Sequence, residues 1–198
     1  MSLLAGVVAA YLIGAIPIGL MMARAFGVVD LRRSGSGNIG ATNVLRSAGR
    51  LAAVLTLVGD VAKGYLAVAA GAALAGAAPG GEASAAVAAI AGNCWSPFLL
   101  FRGGKGMATG LGAFLRLVPL ATLPAILVWL VVALTFRYAS LASLMAALCV
   151  PLGALALRYP IESVAATAAA VAIVYYRHRE NIGRLLAGTE RRLGARRA

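Results

Sequence analysis

Long apolar stretches, separated by short breaks that carry glycine and arginine, run through the whole chain. A bilayer span needs about 20 predominantly apolar residues. Runs of that kind cover 3–23, 51–78, 83–101 and 139–157, and a shorter one covers 161–176. Segment 105–136 is apolar throughout except at Arg116-Leu117-Val118-Pro119. Hydropathy alone leaves it either one long tilted helix or two short spans. The first run has no basic residues ahead of it and exceeds the apolar core of a cleaved signal, so it reads as a true span. Small residues recur at four-residue spacing, as in Gly71-Ala72-Ala73-Leu74-Ala75, which suits close helix packing in lipid. No long repeat suggests the inverted halves of a transporter.

The charges decide the parity of the spans, because cytoplasmic loops carry the excess of Lys and Arg. Loop 24–50 holds Arg24, Arg32, Arg33, Arg46 and Arg50, which places it inside and the N-terminus outside. Loop 79–82 has no basic residue and reads as outside, whereas Arg102 and Lys105 place the next turn inside. The tail 177–198 carries seven arginines and belongs inside. One helix over 105–136 would put that tail outside. Two spans put it inside, and leave only Arg116 and Arg158 on the outer side. The predicted fold is therefore an all-α integral membrane protein: one domain, 1–198, with spans at 3–23, 51–78, 83–101, 105–117, 118–136, 139–157 and 161–176. Its C-terminus is cytoplasmic. The 105–117 span is only about 20 Å long at ~1.5 Å per residue and needs shielding by its neighbours.

Composition agrees. The 198 residues are 62% hydrophobic and 12% charged, with a mean hydropathy of +0.90, which excludes a soluble domain around a single core. The net charge of +12 comes from arginines at span ends, so anionic lipid headgroups explain it better than nucleic acid does. Cys94 and Cys149 lie in apolar runs without metal-ligand spacing and read as small buried hydrophobes.

Four polar clusters stand out. The first is Ser34-Gly-Ser36-Gly-Asn38-Ile-Gly-Ala-Thr42-Asn43-Val-Leu-Arg46, with Gly35, Gly37 and Gly40. Its Ser, Thr and Asn residues can cap a helix that starts near Thr42, and a glycine-led helix N-terminus binds anions. Asn43 and Arg46 then share a helix face. An ordinary solvated loop with a helix cap would have the same composition. The second is Gly59-Asp60-Val-Ala-Lys63-Gly64, inside a span. Asp60 and Lys63 are three apart and can pair, either structurally or in service of a site. The third, Asn93 to Gly110, contains Arg102-Gly103-Gly104-Lys105-Gly106. Glycines admit close backbone approach and the lysine adds a point charge, so it reads as a phosphate site, although the Walker order is absent. The fourth, Arg177-His178-Arg-Glu-Asn181-Ile-Gly-Arg184-Leu-Leu-Ala-Gly188-Thr189-Glu190, holds the only histidine. Read alone, it is equally a basic juxtamembrane helix. A transporter or lipid-binding protein is the rival class, weakened because the clusters lie toward one face rather than at the midplane.

The four segments SGNIGATNVLR at 36–46, GDVAKG at 59–64, FRGGKGMATGLG at 101–112 and RHRENIGRLLAGTE at 177–190 together resemble the bacterial acyl-phosphate:glycerol-3-phosphate acyltransferases of the PlsY type. Arg137-Tyr-Ala-Ser140-Leu is a weaker match. The resemblance runs in order along nearly the whole chain. It departs at Asn93, where the family commonly has histidine.

The resemblance implies an inner-membrane, seven-helix enzyme with its active site facing the cytoplasm. The implied enzyme moves a fatty acyl group from acyl phosphate to the 1-hydroxyl of glycerol 3-phosphate. The products are lysophosphatidic acid and phosphate, in the first acylation of bacterial phospholipid synthesis. On these residues it implies that His178, Asn181, Ser36 and Arg46 serve catalysis. Asn38, Thr42, Asn43, Gly103, Gly104, Lys105, Gly106, Lys63 and Ser140 would contact substrate. Glycerol 3-phosphate, acyl phosphate and membrane lipids are the expected partners; no metal or cofactor is expected. The histidine-plus-five aspartate of other glycerolipid acyltransferases is absent, since that position is Gly183. Proton transfer to the phosphate of the donor is the preferred mechanism, with His178 as base the second.

Overall fold

The computed structural model describes residues 2–194. They form ten α-helices: α1 Leu3–Gly14, α2 Ile18–Ala25, α3 Ala41–Ala48, α4 Arg50–Ala75, α5 Gly81–Cys94, α6 Met107–Leu117, α7 Pro119–Phe136, α8 Ala139–Ala156, α9 Ile161–Arg177 and α10 Arg179–Leu186. Short 3₁₀ turns occupy Leu31–Arg33 and Pro97–Leu99. Four stretches are long and apolar enough to cross a membrane: Leu3–Ala25, which joins α1 and α2, then α4, α7 and α8. Helices α5, α6 and α9 are shorter, at 14, 11 and 17 residues.

The first apolar run departs from a single continuous span. It breaks at residues 15–17, because Pro17 lacks the N–H that a helix interior needs. Carbonyls freed at the break find partners from elsewhere in the bundle. Ser96 Oγ donates to Ala15 O at 2.7 Å and Lys63 Nζ donates to Ile16 O at 2.6 Å. The 83–101 run also departs, since its helix stops at Cys94 ahead of Pro97. Beyond the 3₁₀ turn, Leu100 and Phe101 both take positive φ, and the chain doubles back toward the end of α5. The 105–136 segment divides at Val118-Pro119 into two helices.

Helix α4 is the hub, packed against α1, α5 and α6, with α2 and α3 at one end. Bare backbone lets the helices approach. A Cβ on Gly64 would overlap the Thr109 carbonyl of α6, and one on Gly112 would overlap the Val61 carbonyl of α4. Short α6 is thereby shielded, with Thr109, Gly110, Gly112, Ala113, Phe114 and Leu117 all buried. Buried alanines with Ile90, Phe114, Val118 and Val150 fill the main core. Outward-facing Leu51, Leu66, Leu120, Leu127 and Leu134 are exposed, as a lipid-facing belt must be.

Candidate active site

The loop ahead of α3 is held by apolar anchors and one amide. Leu31 and Val44 are fully buried with Ala23 and Ala52. Asn43 is 1% exposed and spends both ends of its side chain on the loop. Its Oδ1 accepts from Ser36 N at 2.7 Å, while its Nδ2 donates to Leu31 O, Ser34 O and Asn38 O at 3.3, 3.0 and 2.8 Å. The sequence places Asn43 among the substrate contacts. In the structure its hydrogen-bonding capacity goes to shaping the loop, which leaves Ser36 and Arg46 exposed and Asn38 and Thr42 half-buried at its rim. The N-cap of α3 is Gly40, without a side-chain bond, rather than the expected Ser, Thr or Asn cap. Gly35 sits at φ +59°, and a Cβ there would overlap Asn43 Oδ1.

The Lys105 loop differs in detail from a simple glycine cradle. Gly103 N donates to Cys94 O at 3.2 Å and Gly104 N to Asn93 O at 2.9 Å, so these two amides close the end of α5. Glycine is required at 103, because a Cβ there would overlap the Asn93 carbonyl. Gly106, at φ +77°, is the N-cap of α6, which carries no side-chain cap. The amides free to meet an anion are therefore those of the first turn of α6, just beyond Lys105. The Lys105 ammonium donates to Asn181 Oδ1.

At the α9–α10 junction, His178 is 3% exposed and its Nδ1 lies 2.8 Å from Val174 O. Burial lowers its pKa to about 4, with the Val174 hydrogen bond pulling the other way and the Lys105 charge adding to the fall. The ring is thus neutral at physiological pH, with Nδ1–H donating to Val174 and Nε2 left as acceptor. Asn181 is 6% exposed and donates through Nδ2 to Glu190 Oε1 at 2.7 Å. That carboxylate also accepts from Ser140 Oγ at 2.9 Å and Arg184 Nε at 2.7 Å. Ser140, expected on substrate, thus reaches the site through Glu190.

Lys63 is likewise an expected substrate contact. Its three N–H donors meet Asp60 Oδ1 at 2.7 Å, Ile16 O at 2.6 Å and Asn93 Oδ1 at 2.9 Å. It reaches the loop only through Asn93, and the Asp60–Lys63 pair works within the bundle. The tail closes the arrangement: Arg191 donates to Gly35 O at 2.8 Å, and Arg137 donates to Leu193 O at 3.0 Å. Burial, then the Arg191 charge, lower the pKa of Arg46, while Glu190 raises it. Three connectors were not assigned roles from sequence: Asn93, Glu190 and Arg177. Arg177 donates to Gly104 O at 3.0 Å and Gly103 O at 2.9 Å. One arginine among sixteen, at a span end, gives no signal that separates it from a topological charge.

Four polar clusters joined at one end of an apolar helix bundle define an integral membrane protein with a site lined by cations, amides and one neutral imidazole. A family model described as glycerol-3-phosphate acyltransferase matches residues 4–188. Glycerol-3-phosphate acyltransferases of Rubrobacter xylanophilus and Aromatoleum aromaticum are each 47% identical, covering 94% and 98% of this chain and 92% and 98% of theirs. The chain belongs to the glycerol-3-phosphate acyltransferase family. A crystal structure of PlsY, an integral membrane glycerol 3-phosphate acyltransferase in its glycerol 3-phosphate form, superposes with a TM-score of 0.90 at 39% identity. It matches 97% of this chain and 96% of its own. A lysophosphatidic acid form of the same protein gives 0.88 at 38% identity, covering 97% and 95%.

Proposed function

We propose that this enzyme takes its acyl group from acyl phosphate and delivers it to the 1-hydroxyl of glycerol 3-phosphate without an acyl-enzyme intermediate. The observation that carries the reading is the placement of His178, Asn181 and Lys105 together, with Gly35, just ahead of the Ser36–Arg46 segment, held by Arg191, the neighbour of the Glu190 that Asn181 bonds. One anion then has Lys105 and the first turn of α6, and a second has Ser36, Asn38, Thr42 and Arg46. We assign glycerol 3-phosphate to the first and the donor's phosphate to the second. The solved relative's glycerol 3-phosphate form supports an acceptor site in this fold.

In the reaction, the 1-hydroxyl oxygen attacks the acyl carbonyl carbon and the carbonyl–phosphate C–O bond breaks. Phosphate departs with the electron pair, and the hydroxyl proton passes to a phosphate oxygen. Arg46 and Lys105 offset the developing negative charge. Arg46 offers a fork that suits phosphate. His178, neutral with Nε2 open, orients the hydroxyl through a hydrogen bond, with Asn181 beside it. The seven helical segments α1–α2, α4, α5, α6, α7, α8 and α9 correspond to seven crossings of the bacterial inner membrane. The N-terminus lies outside, and the site and C-terminus face the cytoplasm.

The test is turnover of purified protein with glycerol 3-phosphate and either palmitoyl phosphate or palmitoyl-coenzyme A. We expect equal release of phosphate and lysophosphatidic acid from palmitoyl phosphate alone. Product from the thioester only would overturn the donor assignment. Full turnover by His178→Ala across pH would leave the imidazole without a role in the step.

A further inference from the structure

The Lys105 loop should be floppy on composition, because glycines lose more freedom on ordering than any other residue. Instead its backbone is gripped from two sides. The amides of Gly103 and Gly104 donate to the last carbonyls of α5, and their carbonyls accept both arms of Arg177. Arg177 is the last residue of α9, directly ahead of His178. Its guanidinium also lies 5.9 Å from the centroid of the Trp95 ring, just past the end of α5. One planar group therefore joins the end of α5, the Lys105 loop and the helix that carries the imidazole.

We propose that Arg177 is a positioning residue: its two-armed grip on the Gly103 and Gly104 carbonyls fixes Lys105 against His178 and Asn181, and so sets the affinity for the acceptor's phosphate. A lysine at 177 would keep the charge but could not span two successive carbonyls in one plane. This rests on the reading that Lys105 holds the phosphate of glycerol 3-phosphate.

The test is steady-state kinetics of R177K, R177A, W95F and K105A, with thermal unfolding of each in the same detergent. Loss of one charge-assisted hydrogen bond to a phosphate raises KM by about tenfold or more where KM follows binding. We expect a rise of that size for glycerol 3-phosphate in both R177K and R177A. The donor's KM should stay within about twofold and kcat should fall much less than kcat/KM, the pattern of lost uniform binding. W95F, which keeps the carbonyl bonds but weakens the support beneath the guanidinium, should shift the same constant by only about twofold. An R177K enzyme with the wild-type KM for glycerol 3-phosphate would overturn the proposal, because charge alone would then suffice. An unchanged KM in K105A would instead overturn the assignment of the acceptor's phosphate to Lys105, independently of how Arg177 behaves.

Discussion

At the scale of single residues, the site depends on burial changing what a side chain can do. An exposed histidine titrates near 6.5. His178 is buried and held neutral down to about 4, so the pH–rate profile should show no imidazole inflection between 5 and 8. Measuring kcat across that range checks it; a fall through 6.5 that vanishes in a His178 variant would contradict it. The same burial bears on stability. The unfolded chain binds a proton below about 6.5 and the folded chain only below about 4, so stability falls by about 1.4 kcal/mol per unit as pH decreases from about 6.5 to about 4 and is regained as pH rises. Scarcity made the candidate groups legible. The lone histidine and one of only two lysines stand out in an apolar chain. Arg177 did not, since positive-inside bias already accounts for an arginine at a span end.

At the scale of elements, glycine and buried charge do the arranging. Gly64 and Gly112 hold α4 and α6 at backbone contact, while Gly183 on α10 has open space where a Cβ would lie. Gly64→Ala or Gly112→Ala should each cost about 1–3 kcal/mol or more, because backbone cannot rotate aside. Gly183→Ala should be neutral or gain up to about 1 kcal/mol in its helix. Denaturation midpoints in one detergent compare the three. The Asp60–Lys63 pair supports the break between α1 and α2. Asp60→Asn leaves the Lys63 charge buried without a counterion, a loss of about 3–5 kcal/mol. Thermal unfolding measures it, and the double variant Asp60→Leu with Lys63→Met should lose less. The intramembrane pair was visible in the spacing. The helix break it serves was not, because hydropathy averages over Pro17 and cannot see which distant donors meet the freed carbonyls.

For the molecule as a whole, the tail decides how the clusters meet. Burial works against ionisation of Glu190, but hydrogen bonds from Arg184, Asn181 and Ser140 outweigh it and hold the carboxyl below its usual value. Its contribution is therefore present above the ordinary carboxylate range and is lost as pH falls through the folded-state value. Glu190→Gln should lower the melting temperature at pH 7 and flatten the acid-side decline that begins as pH falls through the ordinary carboxylate range, where the unfolded chain takes up a proton and the native carboxylate still resists it. Melting curves from pH 3.5 to 7 read both effects. The glutamine oxygen can still accept from Asn181, but the amide nitrogen takes the place of one carboxylate oxygen and the charge that holds Arg184 is lost. The variant should therefore bind glycerol 3-phosphate more weakly than wild type.

The sequence by itself determined the membrane class, the apolar segments and the four clusters. Those follow from the cost of putting polar groups in hydrocarbon, which acts residue by residue along a chain. The family resemblance also singled out His178, Asn181 and Lys105 as candidates, and the structure puts Lys105 in hydrogen-bond contact with Asn181, on the helix that follows His178. The tertiary structure alone decided which polar atoms remain free. Asn43 and Lys63 look like ligands in one dimension, yet their donors and acceptors are taken up by Ser36, Asn38, Ile16 and Asn93. The Gly103 and Gly104 amides are likewise spent on α5. Hydrogen bonds saturate, and which partner claims each one depends on groups brought together from distant parts of the chain.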